Sequence, residues 1–133
     1  MPTFGANSQK VLSTCSLLLQ EVANEAIKIF DFSVVCGTRG KEDQENACAS
    51  GKSKVHYPNS KHNSNPSLAM DLCPYRDGAL QWKDTKAFIH LAGIIKAVAF
   101  EKGIKVRWGG DFNRNNNFSD DSFVDMPHFE LED

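Results

Sequence analysis

The triplet Ser60-Lys61-His62 is followed, nine positions after the histidine, by the aspartate of Leu68-Ala69-Met70-Asp71. Near the far end, Asp125-Met126-Pro127-His128-Phe129-Glu130 supplies a second histidine among further carboxylates. Two imidazoles and one carboxylate leave the fourth tetrahedral position of a Zn²⁺ ion open for water, as a catalytic zinc needs and a structural zinc lacks. A second carboxylate beside that water could act as general base, so the chemistry expected of the set is hydrolysis. Between Glu45 and Asp71 there is no other Asp or Glu, which makes Asp71 the natural local partner of His62. Pro127 biases residue 126 toward an extended backbone, so Asp125 and His128 would converge through a bend rather than a regular period. The bland alternative is a solvated acidic tail. Asp120, Asp121, Asp125, Glu130, Glu132 and Asp133 cluster there with no Lys or Arg among them.

The remaining candidates are weaker. His90 falls within an apolar helical pattern and His56 in a loop, and both are expected to be ordinary histidines. Asp111, Asn113 and Asn115, followed by Asp120 and Asp121, have the oxygen-rich alternation of half a calcium loop. The glycine and glutamate that complete such a loop are missing, so an Asn-rich loop is the first expectation and a regulatory Ca²⁺ site the second. Cys15, Cys36, Cys48 and Cys73 form no C-x-x-C pair and lie in apolar or element-like stretches. Buried free thiols are expected rather than two disulfides.

At 133 residues the chain is expected to be one domain, 1–133, with a real core. A net charge of −2 gives no electrostatic footprint for nucleic acid or an anionic membrane surface. No basic and apolar leader opens the sequence, and no apolar run approaches a membrane span. The expectation is a soluble chain made in the cytoplasm, monomeric by default, that needs another agent to release it if its substrate lies outside the membrane.

The elements that must position these residues follow from periodicity. Residues 8–30 read as one amphipathic helix with Ser8 as its cap, and Phe32 to Cys36 as a strand ending at Gly37. Residues 41–50 could make a short helix, and 51–59 a loop. Residues 68–73 alternate as a strand does, with 74–78 as a turn. Asp84 caps the clearest helix, 85–102, with Gly103 just past its end. Strands are expected at 104–108 and 127–131, with loop between 109 and 121. The interleaving predicts an α+β fold, a small, mostly antiparallel sheet with helices packed on one side.

Ser-x-His, then Ala-x-Asp, then Asp-x-x-His-Phe-Glu resembles the D-alanyl-D-alanine metallopeptidase family. That family includes D,D-carboxypeptidases, vancomycin-resistance D,D-dipeptidases and phage endolysins that cut the L-alanyl-D-glutamate bond of peptidoglycan. Phe4, Ser8, Gly37-Thr38-Arg39 and Arg107-Trp108-Gly109-Gly110-Asp111 also fall where such endolysins have similar residues, and the endolysin branch is the nearest. The resemblance implies a hedgehog/D,D-peptidase-like fold, one catalytic zinc on His62, Asp71 and His128, and Asp125 as general base. It implies Arg39 as a stabiliser of carbonyl charge or a clamp on a substrate carboxylate, and Ser60 as a substrate contact or a residue that orients the site. The expected partner is a peptidoglycan stem peptide, reached from the host cytoplasm through a membrane lesion and cut in lysis. The alternatives are D-alanyl-D-alanine hydrolysis and a non-catalytic zinc-stabilised binding module, as in the related hedgehog signalling domains. A calcium-sensing interaction protein built on 111–121 is a third class. Three departures from the family pattern stand out. The span from His62 to Asp71 is two residues longer and lacks the usual glycine, leaving Asn63 or Asn65 to supply a positive φ. Gly40 follows Arg39 where Thr or Ser is common. Gln44 lies one position further from the arginine than the usual glutamine.

Overall fold

The computed structural model describes residues 1–117, 119 and 124–132. The first helical stretch is two helices, α1 (Ala6–Leu12) and α2 (Leu17–Ala26), not one. The break lies at Ser13-Thr14-Cys15-Ser16, where the backbone leaves the helix to pair with Ser67. Ser16 N donates to Ser67 O at 2.8 Å, and Ser67 N donates to Thr14 O at 2.9 Å. Hydroxyl-bearing residues tolerate such a break because their side chains satisfy local backbone groups, as Ser16 does in capping α2. Ser8 is not the cap expected of it. It is buried inside α1, where its Oγ accepts from Val34 N at 3.0 Å, and Gly5 stands at the cap.

Strand β1 (Phe32–Cys36) and helix α3 (Lys41–Ala49) lie where the sequence places them. A single 3₁₀ turn, Lys61–Asn63, carries His62. Strand β2 (Ala69–Arg76) runs three residues beyond its expected end, and the tight turn is reduced to Asp77-Gly78 before the two-residue β3 (Ala79–Leu80). Pro74 is tolerated in the strand although proline offers no N–H to a ladder. Helix α4 (Thr85–Glu101) is capped by Asp84, whose carboxylate accepts from Ala87 N at 3.1 Å, and Gly103 follows it at φ +69°. The last strands are β4 (Val106–Trp108) and β5 (His128–Leu131).

All strand pairs are antiparallel, in the order β1-β2-β5-β4 with β3 hanging on β2. Side chains alternate across a strand, so each strand splits its residues between two faces. Phe32, Val34, Met70, Leu72, Phe129 and Trp108 join Leu19, Val22, Leu91 and Ile95 of α2 and α4 in one apolar core. The expected α+β architecture holds. The residues between the core positions, Asp71 on β2 and His128 on β5, stand on the opposite face and pair directly with each other. A register shift between Val34 and Cys36 brings Cys36 opposite Asp71 on the other side. Such a bulge re-aims the strand's last side chain. Cys36, Asp71 and His128 thus form a row across three strands.

Candidate metal and catalytic site

The row on the sheet face is completed by His62 from the 3₁₀ turn. Ser60 caps that turn by accepting from His62 N at 3.2 Å, while Asn63 Oδ1 accepts from Ser60 N at 3.0 Å. This reciprocal cap shapes the turn, where a positive φ at Asn63 or Asn65 was the expectation. Among the described residues only Asp77, Arg114 and Asn116 take a positive φ without being glycine, so neither Asn63 nor Asn65 does. Asn63 also donates to Arg39 O at 3.1 Å and Gln44 Oε1 at 3.2 Å, tying the turn to α3.

Three donor atoms meet. His62 Nε2 lies 3.1 Å from Asp71 Oδ1 and 3.2 Å from His128 Nδ1, and His128 Nδ1 lies 3.4 Å from Asp71 Oδ1. The other nitrogen of each ring is already engaged. His62 Nδ1 faces the Gly37 carbonyl at 2.8 Å, and His128 Nε2 faces Glu130 Oε1 at 2.8 Å. A carbonyl or carboxylate on one nitrogen makes that nitrogen the N–H and turns the lone pair of the other inward, the usual support of a metal-binding histidine. The close approach at Gly37 requires glycine, since a Cβ there would lie 2.2 Å from Thr14 Oγ1. Two overlapping groups here could hold a metal ion. Cys36, His62 and Asp71 each offer a donor atom within 4.8 Å of one another, and so do Asp71, Asp125 and His128.

Asp125 reaches the cluster because the chain turns back on Gly109. Asp125 N donates to Gly109 O at 2.8 Å, and Gly109 N donates to His128 O at 2.7 Å. A Cβ on Gly109 would fall 2.0 Å from Asp125 O, so this junction also needs glycine. Burial and the nearby charge of Asp71 push the Asp125 carboxyl up to about 6. Asp71 itself is held well below the usual carboxylate range: burial opposes this, but His128 and His62 outweigh it. Burial likewise disfavours a charged His62, yet Asp71 and Cys36 beside it raise that ring to about 10 in the absence of metal, and His128 is raised for the same reason by Asp71 and Glu130. Glu130 is depressed to about 2 against its burial by His128 and Arg107.

Arg39 points into the same place. Its Nη2 lies 3.3 Å from Asp71 Oδ2 and 3.5 Å from Cys36 Sγ, while Nη1 donates to Gln44 Oε1 at 3.1 Å. Gln44 is fully buried and spends its amide N–H groups on Ser53 Oγ and Val55 O. Its altered spacing therefore still delivers a partner to the guanidinium. Two clefts of about 440 and 570 Å³ meet at Arg39, Lys52 and Asp125. The first also holds Ser60 and is rimmed by Lys54, Lys61 and Arg107; the second is walled by Trp82, Val124, Met126 and Pro127.

All six residues singled out by the sequence, His62, Asp71, His128, Asp125, Arg39 and Ser60, thus border one site. Three contributors were not foreseen there: Glu130, Gln44 as the arginine's anchor, and Cys36. Glu130 was legible, because it stands two residues after His128 on a strand and so shares its face. Cys36 was not, since the bulge that turns it inward has no sequence signature. The Ca²⁺ expectation finds no support among the described residues. Asp111 accepts from the backbone N–H groups of Asn115 and Asn116, Asn113 from that of Asn115, and Asn115 from that of Asn117. These oxygens shape successive turns, and no group of three His, Cys, Asp or Glu residues gathers there among the described residues; Asp120 and Asp121 lie outside them. The cysteines are free, but only Cys15 and Cys73 are buried, whereas Cys36 and Cys48 are half-buried. No helix of the described residues is long and apolar enough to cross a membrane.

Imidazoles and carboxylates converging on the open face of a small antiparallel sheet are the equipment of a hydrolase. The comparisons with known proteins say which kind. The family model for phage L-alanyl-D-glutamate peptidase matches residues 2–132. The L-alanyl-D-glutamate peptidase of Escherichia phage T5 is 35% identical over 134 residues, covering 96% of each chain. The crystal structure of the Serratia marcescens L-Ala D-Glu endopeptidase ChiX superposes with a TM-score of 0.78 at 26% identity, over 98% of this chain and 90% of that one. This chain belongs to the phage L-alanyl-D-glutamate peptidase family. It is a peptidase, and the non-catalytic binding module is set aside.

Proposed function

We propose that the chain is a single-domain, monomeric zinc peptidase that hydrolyses the L-alanyl-D-glutamate bond of peptidoglycan stem peptides. Its role is that of a phage endolysin, made in the host cytoplasm and admitted to the wall through a membrane lesion. The observation that carries the zinc assignment is the triangle of 3.1, 3.2 and 3.4 Å between His62 Nε2, Asp71 Oδ1 and His128 Nδ1. Ligand atoms about 2.0–2.1 Å from a tetrahedral zinc stand roughly 3.3–3.4 Å apart, and two nitrogens with one oxygen suit that ion. Zinc held there would supply Lewis acidity and a water whose pKa falls to about 7.

The chain's own groups supply the rest. Asp125 is the general base that takes a proton from the attacking water and returns it to the departing amine. A carboxyl raised to about 6 is a stronger base than an ordinary aspartate and is still ionised at neutral pH. Arg39, aligned by Gln44, stabilises negative charge on the scissile carbonyl oxygen or grips a substrate carboxylate. Ser60 contacts substrate at the groove wall. A glutamyl residue whose chain continues through one carboxyl keeps the other as a free carboxylate, and the groove lined by Lys52, Lys54, Lys61 and Arg107 is suited to receive it.

The test is metal analysis of the purified protein together with cleavage of a synthetic L-alanyl-D-glutamyl peptide. One zinc per chain, with cleavage lost on chelation and restored by Zn²⁺, is expected. Undiminished cleavage by demonstrably metal-free protein would end the zinc assignment.

A further inference from the structure

A second constellation lies apart from the metal-ligand cluster. Glu45 and Cys48 sit at i and i+3 on α3, and so share a side of that helix. The chain then turns back and lays His56 against both. His56 Nδ1 lies 2.8 Å from Glu45 Oε2, and His56 Nε2 lies 3.6 Å from Cys48 Sγ. The other glutamate oxygen accepts from Tyr57 N at 2.8 Å, which fixes the carboxylate. The bond to His56 is also the chief reason the Glu45 carboxyl sits below its ordinary range. His56 was expected to be an uncommitted loop histidine. Its two partners come from a helix whose turn and return the sequence did not disclose.

The geometry distinguishes two chemistries. Glu45 and Cys48 occupy opposite nitrogens of one imidazole, so an ion held between Nε2 and Sγ would leave Glu45 on the far side of the ring. Carboxylate, imidazole and thiol in line are instead the orienter, base and nucleophile of an activated thiol. Glu45 fixes the N–H on Nδ1 and leaves the Nε2 lone pair facing sulfur, where a proton can move from thiol to ring. The His56 side chain is 70% and that of Glu45 41% exposed, and Cys48 beside them is half-buried, so the cluster meets solvent at its edge. Neither cleft of the peptidase site includes any of the three residues. Standing outside both clefts, this thiol suits a small reagent rather than a peptide.

We propose that Cys48 is an activated surface thiol, a modification site for low-molecular-weight disulfides, with His56 as its base and Glu45 as the residue that orients it. The Cys48 proton passes to His56 Nε2, and the thiolate attacks one sulfur of the disulfide. The new S–S bond forms as the old one breaks, and the departing thiolate takes a proton from the imidazolium or from water. The Cys48 sulfur is oxidised as the departing sulfur is reduced, so the exchange needs no further oxidant. The other thiols supply contrast. Burial pushes Cys15 and Cys73 up to about 11, and Cys36 is packed against His62 and Arg39.

The experiment treats the full zinc-loaded chain with a neutral dipyridyl disulfide and locates the adduct by mass spectrometry over time. Cys48 should be labelled first. Its rate should fall about tenfold or more in His56→Asn, by a smaller factor in Glu45→Gln, and the fast phase should vanish in Cys48→Ser. A merely structural role for His56 predicts the opposite, because loosening the clasp would expose Cys48 and speed its labelling. An equal or faster rate in His56→Asn, or a fast phase located on Cys36, would overturn the assignment.

Discussion

His128 is gripped on the nitrogen that faces away from the ligand cluster, by a carboxylate that Arg107 holds in turn at 2.8 Å. Replacing Glu130 by Gln keeps the shape but weakens the acceptor that fixes the ring's tautomer. Such supporting contacts are worth roughly 10- to 100-fold in metal affinity, and a competition titration against a zinc chelator should read a loss of that size. Asp125→Asn should do the converse, keeping zinc and fold while lowering the cleavage rate by roughly 10²- to 10⁴-fold. Protons follow from the same cluster. In metal-free protein at pH 7 His62 is charged, since its pKa is raised to about 10, and zinc can bind only the neutral ring. Binding should therefore release at least one proton and tighten as pH rises. Calorimetric titrations in two buffers of different ionisation enthalpy would show it; heats independent of the buffer would contradict it.

The elements that deliver these residues were unevenly legible. Helix α4 was read nearly to its ends because Asp84, the apolar stripe and Gly103 agree with one another. The first helix was over-read: the apolar repeat runs through Cys15, and only the distant Ser67 shows that residues 13–16 are claimed by a bridge. The site was legible as a set of residues but not as a geometry. Sequence spacing places His62 near Asp71, yet the register that sets Asp71 opposite His128 is fixed by the core face of β2 and β5. Gly109 tests how Asp125 is delivered to the site. A methyl group 2.0 Å from the Asp125 carbonyl must push that segment away, so Gly109→Ala should cut activity at least as deeply as it weakens zinc binding. Asp84→Ala, at a side chain that lines neither cleft, should cost about 1 kcal/mol of stability and leave the cleavage rate alone.

Across the whole molecule the sheet divides labour, with the core on one face and a cluster of imidazoles and carboxylates on the other. The cluster ties pH to stability. The metal-free fold gains from a His62 pKa raised from 6.5 to about 10, a contribution complete below 6.5 and lost as pH climbs toward 10. Metal-free protein should therefore lose melting temperature across that window, while zinc-loaded protein, whose ring is already neutral, should not. Zinc at a thousandfold excess over its Kd should add about 4 kcal/mol to the fold. The most direct test is a digest of peptidoglycan by zinc-loaded protein, with the new termini identified by mass spectrometry. New amino-terminal D-glutamate, absent from the Asp125→Asn digest, is the predicted result. Released D-alanine, or no cleavage by protein shown to hold zinc, would contradict the account.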